Sequence, residues 1–330
     1  MTGRRVAVVG YHAAELLDIS CVTTSLIMAN HHGAAPPYDV FLATPSGRPI
    51  VCANGLTLQG QRAVERLTGP LDTLVVSGGI GHEAAAASGA FVGHVRRLAR
   101  ESRRVASVCT GAEVLAAAGL LDGRRATTHW EFAPRLAARH PRVSVDADPI
   151  FVRDGNVATA AGVTSALDLT LAFVEEDHGA ALARTVARYL VTYLQRPGNQ
   201  AQMSMFTEHP PLADGLVRRV VARITGQPDG DLATATLAAG AGVSERHLTR
   251  LFLRELGQTP GRFVRRARTE AAAHLLVTTS LPMATVASRC GFGSAETLRQ
   301  AFVDRYGMPP SRYRLTQASA FPAEPTTRAE

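Results

Sequence analysis

Residues 104–120 read RVASVCTGAEVLAAAGL. A short β-branched run ends at Cys109, Thr110 and Gly111 follow, and the Ala/Leu-rich remainder has the composition of a helix. A cysteine on a sharp strand-to-helix turn is how several hydrolases present a nucleophile. The same alternation recurs upstream. RVAVVG (5–10), YDVFLAT (38–44), DTLVVSGG (72–79) and RVASVC (104–109) are compact apolar runs, with helical patterns near 16–31, 61–67, 84–101 and 111–121. Continuous strands alternating with helices predict a parallel α/β sheet. Downstream, PIFVRDGNVATA (149–160) carries Asp154-Gly155 between two strand-like runs, a hairpin signal. TSALDLTLAFVEEDHG (164–179) spaces its apolar residues as a helix does and stops at a glycine.

The chain has 330 residues, room for about two domains. The segment QRPGNQAQMSMFTEHPPLADG (195–215) is polar with paired prolines, and beyond it the strand signals stop. This predicts an α/β domain over 1–195, a linker over 196–214, an all-α domain over 215–316 and a flexible tail over 317–330.

The helical part contains an internal repeat. Ala238, Gly242, Val243, Ser244, Leu248, Phe252, Gly257, Pro260 and Phe263 return as Ala287, Gly291, Phe292, Ser294, Leu298, Phe302, Gly307, Pro310 and Tyr313. Each copy fits a helix-turn-helix. The alanine permits close packing, the glycine takes the turn, and Val or Phe plugs the gap. Serine caps the second helix, Leu and Phe form its inward face, and Gly then Pro end it. The two second helices, about 244–256 and 294–306, are candidate recognition helices, with a helix near 261–278 fixing their spacing for successive major grooves. Their solvent sides carry Glu245, Arg246, Thr249 and Arg250, and then Ala295, Glu296, Arg299 and Gln300. Arg suits guanine and Gln suits adenine. Arg254, Arg265, Arg266 and Arg305 are candidates for phosphate contacts, which position without reading sequence.

The charge agrees with that reading. The net charge is +7, and all the basic residues are arginine. Residues 1–209 hold 19 arginines against 18 acids, whereas residues 210–318 hold 15 against eight. A positive field concentrated on one domain is the footprint of a nucleic-acid partner. The four cysteines show neither CxxC pairing nor zinc spacing, so reduced thiols, no metal and no cofactor are expected. The N-terminal apolar run is too short for a signal peptide, and no 18-residue apolar stretch exists, so no membrane partner and a cytoplasmic location are expected.

Residues 215–315 resemble the AraC/XylS family of transcription regulators, most strongly in VASRCGFGSAETLRQAFVDRYGMPPSRYR (286–314). The resemblance implies a seven-helix DNA-binding domain. It carries base contact over to Arg246, Thr249 and Arg250, and to Glu296, Arg299 and Gln300. Residues 1–190 resemble the DJ-1/PfpI branch of the class I glutamine-amidotransferase-like fold, a flavodoxin-like parallel sheet. The matching stretches are LLDIS (16–20), LVVSGG (74–79), VCTGAEVLAAAGLLDGRRATTHW (108–130) and TAAGVTSALDLTLAFVEEDHG (159–179). The last two are similar to a smaller group in which such a domain is fused to an AraC-type domain.

The helix after Cys109 points its N-terminal N–H groups at the sulfur, which favours thiolate, and the Ser77–Gly79 turn is expected to bring N–H groups for an oxyanion. Asp18 is placed to hydrogen-bond the thiol or handle a proton. By resemblance to isonitrile hydratases of the same superfamily, Asp18, Cys109 and Thr110 match catalytic positions. PfpI-type peptidases have His after the cysteine; here Thr110 stands there. His129, Trp130 and His178 are read as structural. The pocket candidates are therefore Cys109, Asp18, Thr110 and Gly79, with four readings of Cys109 open: a small apolar core thiol, effector sensing, retained enzyme chemistry, and oxidation sensing. The group further implies promoter DNA, a small effector, a homodimer through the N-terminal domain, RNA polymerase as a partner, and a place on the bacterial nucleoid.

Overall fold

The computed structural model describes residues 3–192, Gly198, Gln202 and residues 214–318, with backbone only at 277, 278 and 315–318. The chain divides into two compact units, residues 1–202 and 203–330. Apart from Gly198, Gln202 and Asp214, the expected linker lies outside the described residues, as does most of the expected tail.

The first unit is built on a seven-stranded sheet. Its strands in chain order are β1 (Arg4–Val9), β2 (Tyr38–Thr44), β3 (Arg62–Ala63), β4 (Leu71–Val76), β5 (Ser102–Val108), β6 (Phe151–Asp154) and β7 (Val157–Ala160). The spatial order is β6-β7-β5-β4-β1-β2-β3. All neighbours run parallel except β6 and β7, which form an antiparallel hairpin. Val6 lies opposite Val40 on one side and Thr73 on the other, so β1 is a central strand. Val6, Ala7, Val8 and Val9 are all fully buried, which is why these strands read as continuous apolar runs. The accompanying helices are α1 (Leu16–His31), α2 (His82–Ala87), α3 (Gly89–Arg100), α4 (Gly111–Ala117), α5 (Ala133–Arg139), α6 (Ser165–His178) and α7 (Ala180–Tyr189).

Three local readings are corrected. Residues 61–67 are not a helix: Arg62 and Ala63 pair with Ala43 and Thr44 as the edge strand, and a single 3₁₀ turn follows over Val64–Arg66. The 84–101 pattern is two helices, because Ser88 takes an extended backbone and caps α3 by accepting from the Phe91 N–H. The β6–β7 turn is Gly155-Asn156, one residue later than the Asp154-Gly155 signal, with Gly155 at φ +61°.

The second unit holds seven helices among its described residues. They are α8 (Gly215–Gly226), α9 (Thr234–Gly240), α10 (Glu245–Leu256), α11 (Pro260–Thr278), α12 (Met283–Arg289), α13 (Ala295–Tyr306) and α14 (Pro310–Ala318). The repeat landmarks take equivalent places. Gly242 and Gly291 turn at φ +71° and +75°. Ser244 and Ser294 cap α10 and α13 by accepting from the N–H groups of His247 and Thr297. Leu248, Phe252, Leu298 and Phe302 are fully buried. The unit has two small cores rather than one. Phe263, Val264 and Ala267 of α11 pack into the first with α8 to α10, and Ala272, Ala273 and Leu276 of the same helix pack into the second with α12 to α14. The long helix thus belongs to both helix-turn-helix units and sets their spacing.

Candidate effector pocket and DNA-reading face

The site of the first unit gathers at the carboxyl ends of its central strands, where open α/β sheets form their crevices. Tyr11 follows β1, Ser77–Gly79 follow β4, Cys109 follows β5 and Gly162 follows β7. Cys109 has φ +53°, a left-handed conformation that a non-glycine residue adopts at a cost. Its backbone is pinned from two sides: its N–H donates to the Ala160 carbonyl at 2.9 Å, and its carbonyl accepts from Thr128 Oγ1 at 2.8 Å. The elbow sets Cys109 at the start of α4, with its Cβ against the Gly78 turn and its sulfur near Gly162.

That turn is tight. A Cβ on Gly78 would lie 2.6 Å from Cys109 Cβ and 2.8 Å from Asp18 Oδ2. Gly79 sits at φ +130°. The donors of the turn are already engaged. The Gly78 N–H donates to Asp18 Oδ2 at 2.9 Å, and the Gly79 N–H donates to Thr110 Oγ1 at 2.9 Å. The Thr110 hydroxyl in turn donates to the Gly79 carbonyl at 2.9 Å. The N–H groups expected to face an oxyanion are spent on side chains of the protein itself.

The electrostatics follow from burial. Asp18 is 1% exposed, and burial pushes its carboxyl up to about 7 against the stabilising Gly78 N–H. Its Oδ1 is buried without a hydrogen-bond partner among the described residues. Burial and then the Asp18 charge push the Cys109 thiol up to about 12, outweighing hydrogen bonds from Thr110. At neutral pH the sulfur is therefore a thiol, in place of the thiolate expected from the helix dipole alone.

The four candidates Cys109, Asp18, Thr110 and Gly79 thus converge, and the structure adds three neighbours. Tyr11 is buried beside Asp18 and Cys109 and donates from its hydroxyl to the Ser77 carbonyl at 2.9 Å. Gly162 leaves a small space: a Cβ there would lie 3.9 Å from Cys109 Sγ and 3.3 Å from the His129 ring. His129, read as structural, therefore flanks the same space as the sulfur, and burial lowers its pKa so that it is neutral. Tyr11 and Gly162 each lie two residues beyond a strand end, the one signal that would have singled them out, whereas His129 lies in the loop before α5. His178 ends α6 and packs edge-on against Tyr38.

Gln202 ties down the segment on either side of His129. Its Nε2 donates to the Thr128 carbonyl at 2.8 Å and Thr127 Oγ1 at 3.1 Å, and its Oε1 accepts from the Trp130 N–H at 3.0 Å. Among the described residues no group of three or more His, Cys, Asp or Glu side chains converges to hold a metal ion. No helix among them is long and apolar enough to cross a membrane.

In the second unit, Arg246 and Arg250 are exposed and Thr249 half-exposed on one face of α10, as Glu296, Arg299 and Gln300 are exposed on α13. The two faces differ in charge pairing. Arg250 Nη2 meets His247 Nδ1 at 2.9 Å, and among the described residues neither Arg246 nor Arg250 has a carboxylate partner. Arg299 is held by both oxygens of Glu296 at 2.7 and 2.8 Å. Of the phosphate candidates, Arg254 meets Asp214 and Glu255, and Arg265 meets Asp304 at 2.6 Å. Arg266 and Arg305 are largely covered and share Glu270.

The comparisons agree with both halves. The DJ-1/PfpI family model matches residues 4–176, and a helix-turn-helix domain model matches residues 237–316. The chain is 32% identical over 286 residues to the HTH-type transcriptional regulator CdhR of Pseudomonas aeruginosa, covering 87% of this chain and 84% of that one. It is 35% identical over 162 residues to an isonitrile hydratase of Pseudomonas putida, covering 46% of this chain and 68% of that one. The crystal structure of a ThiJ/PfpI family protein from Pseudomonas syringae superposes with a TM-score of 0.54 at 26% identity, covering 68% of this chain and 87% of that one. By its strand-end cysteine elbow, its paired helix-turn-helix units and these similarities, the chain belongs to the DJ-1/PfpI family, in the group that carries an AraC-type DNA-binding domain, and is a transcriptional regulator.

Proposed function

We propose that the first unit is a sensor whose pocket at Cys109 takes a small polar effector without turning it over. The observation that carries this reading is the occupation of the turn donors. The Gly78 and Gly79 N–H groups serve Asp18 and Thr110, so they reinforce the folded pocket and do not wait for a charge developing on a substrate. The neutral His129 beside the sulfur and the unpartnered Oδ1 of Asp18 offer an effector one acceptor or donor each. The second unit reads promoter DNA, with Arg246, Thr249 and Arg250 contacting bases first and Glu296, Arg299 and Gln300 completing the site. A homodimer through the first unit is supported by apolar side chains left exposed on it, Leu17 and Ile27 of α1 and Leu56.

The test is binding of the full chain to promoter fragments against random duplex at about 150 mM salt, where non-specific attraction is screened. Strong preference for particular fragments is expected, and equal affinity for every duplex would sink sequence-specific regulation. The second reading, residual enzyme chemistry, is favoured by the strained Cys109 elbow. Turnover of isonitriles that is lost in Cys109→Ser would establish it.

A further inference from the structure

At the opposite end of the same sheet from Cys109 lies a cavity of about 280 Å³. Arg104 lines it and Cys109 does not; five residues of one strand separate them, about 17 Å. Its walls include Arg103, Arg104, Arg153, Phe173 and Glu176. Only Arg104 is buried, at 7% side-chain exposure against 41% for Arg103 and 38% for Arg153, but all three are restrained. Arg103 grips Asp72 with Nε and Nη2, both at 2.9 Å, and reaches Asp177 at 2.7 Å. Arg104 is anchored through Nε to Thr73 at 2.8 Å and through Nη2 to Asp177, and its guanidinium lies 4.0 Å over the Phe173 ring. Arg153 lies 5.1 Å over the same ring. Buried partners behind the wall therefore fix two of the three forks, and the aromatic face restrains the third.

The three forks also converge on one further group, the Arg104 Nη1 sharing itself with Asp177 Oδ1 at 3.3 Å. The Nη1 atoms of Arg153, Arg104 and Arg103 lie 3.1, 3.4 and 3.8 Å from the Glu176 carboxylate. Glu176 is 46% exposed and ends near the helix terminus, so its hold is screened and cheap to break. With Arg4 also paired to Asp72 and Asp177, four arginines face two aspartates once Glu176 swings away. We propose that this cavity is a second ligand site for a small dianionic oxyanion, a phosphate or a dicarboxylate, with the Glu176 carboxylate as its displaceable occupant. Fixed Nη1 donors suit carboxylate and phosphate oxygens, and the volume lies just below the range of drug-sized pockets. The site is separate from the effector pocket proposed above and stands or falls without it.

The experiment is calorimetric titration of the full-length protein, at low ionic strength, with inorganic phosphate and separately with succinate. Glu176→Gln is expected to bind one of them at least about fivefold more tightly than wild type, and Arg153→Gln about tenfold more weakly. Arg125→Gln, an exposed arginine outside the cavity, is expected to match wild type. Response to phosphate alone or to succinate alone identifies the ligand class. The proposal is overturned if neither anion binds wild type or Glu176→Gln, if Glu176→Gln gains nothing, or if Arg153→Gln and Arg125→Gln behave alike.

Discussion

The Thr110 hydroxyl holds both backbone groups of Gly79, accepting from its N–H and donating to its carbonyl, each at 2.9 Å. This clip ties the turn after β4 to the elbow after β5. It gives the threonine that stands in the place of a histidine a structural task. Thr110→Val keeps the shape and removes both bonds at a buried site, at a cost of about 1–3 kcal/mol for each group left unpaired. Chemical denaturation should show that loss, and Thr110→Ser should recover most of it.

Asp18 makes stability depend on pH in a stated direction. Its carboxyl is raised from 3.8 to about 7 in the folded chain. As pH rises from about 4 to 7, the unfolded chain releases this proton while the folded chain keeps it, so the contribution of Asp18 to stability falls across that window. The full difference is on the order of 4 kcal/mol. Asp18→Asn, which still accepts from Gly78, should be more stable than wild type at pH 8 and similar to it near pH 3.5. Parallel pH curves for the two proteins would remove Asp18 as the cause.

Cys109 should alkylate slowly. A thiol pushed up to about 12 holds on the order of 1,000-fold less thiolate at pH 7.5 than a free cysteine, so labelling by iodoacetamide should be far slower than at a free cysteine. Because the Asp18 charge is the second cause of the shift, Asp18→Asn should speed labelling several-fold. Peptide mass spectrometry distinguishes Cys109 from the other three thiols. Rapid labelling of wild type would revive the nucleophile reading.

The two recognition helices should contribute unequally. Arg250→Ala is expected to lose about 1–3 kcal/mol of discrimination at its base pair. A uniform loss over all sequences would instead assign Arg250 to phosphate. Glu296→Gln releases Arg299 from a surface pair worth little. It should therefore steepen the salt dependence by about one ion, and it should change the preference at the base pair that Glu296 and Arg299 face.

Trp130 is the single tryptophan, and its backbone N–H is held by Gln202. Gln202→Ala removes that bond and three more, to Thr127, Thr128 and Pro149. Its fluorescence should shift to the red, with faster hydrogen exchange at the Trp130 amide. An unchanged spectrum and unchanged exchange would show that Gln202 does not hold this segment.

Legibility differed between residues for physical reasons. Val6 to Val9 and the repeat landmarks announce themselves because each burial or turn demands a residue type at that position. Arg62 and Ala63 do not: a two-residue edge strand exists only because Ala43 and Thr44 offer it partners, and the local pattern favours a turn of helix. The Ser88 break was visible as a Ser-Gly pair within an otherwise helical pattern. Gly78 and Thr110 lie 32 residues apart in sequence and His129 and Gly162 lie 33 apart, so no spacing rule joins them.

The sequence by itself determined the class of each half: a parallel sheet with a cysteine elbow, and two helix-turn-helix units joined by one helix. Periodicity, caps and turn glycines are local properties, and local properties survive in a string of letters. The tertiary structure alone decided which donors around Cys109 are occupied, that the sulfur stays a thiol, and that Arg299 is paired while Arg246 and Arg250 have no carboxylate partner among the described residues. Those outcomes depend on burial and on distances between residues far apart in the chain, which only the packed fold sets.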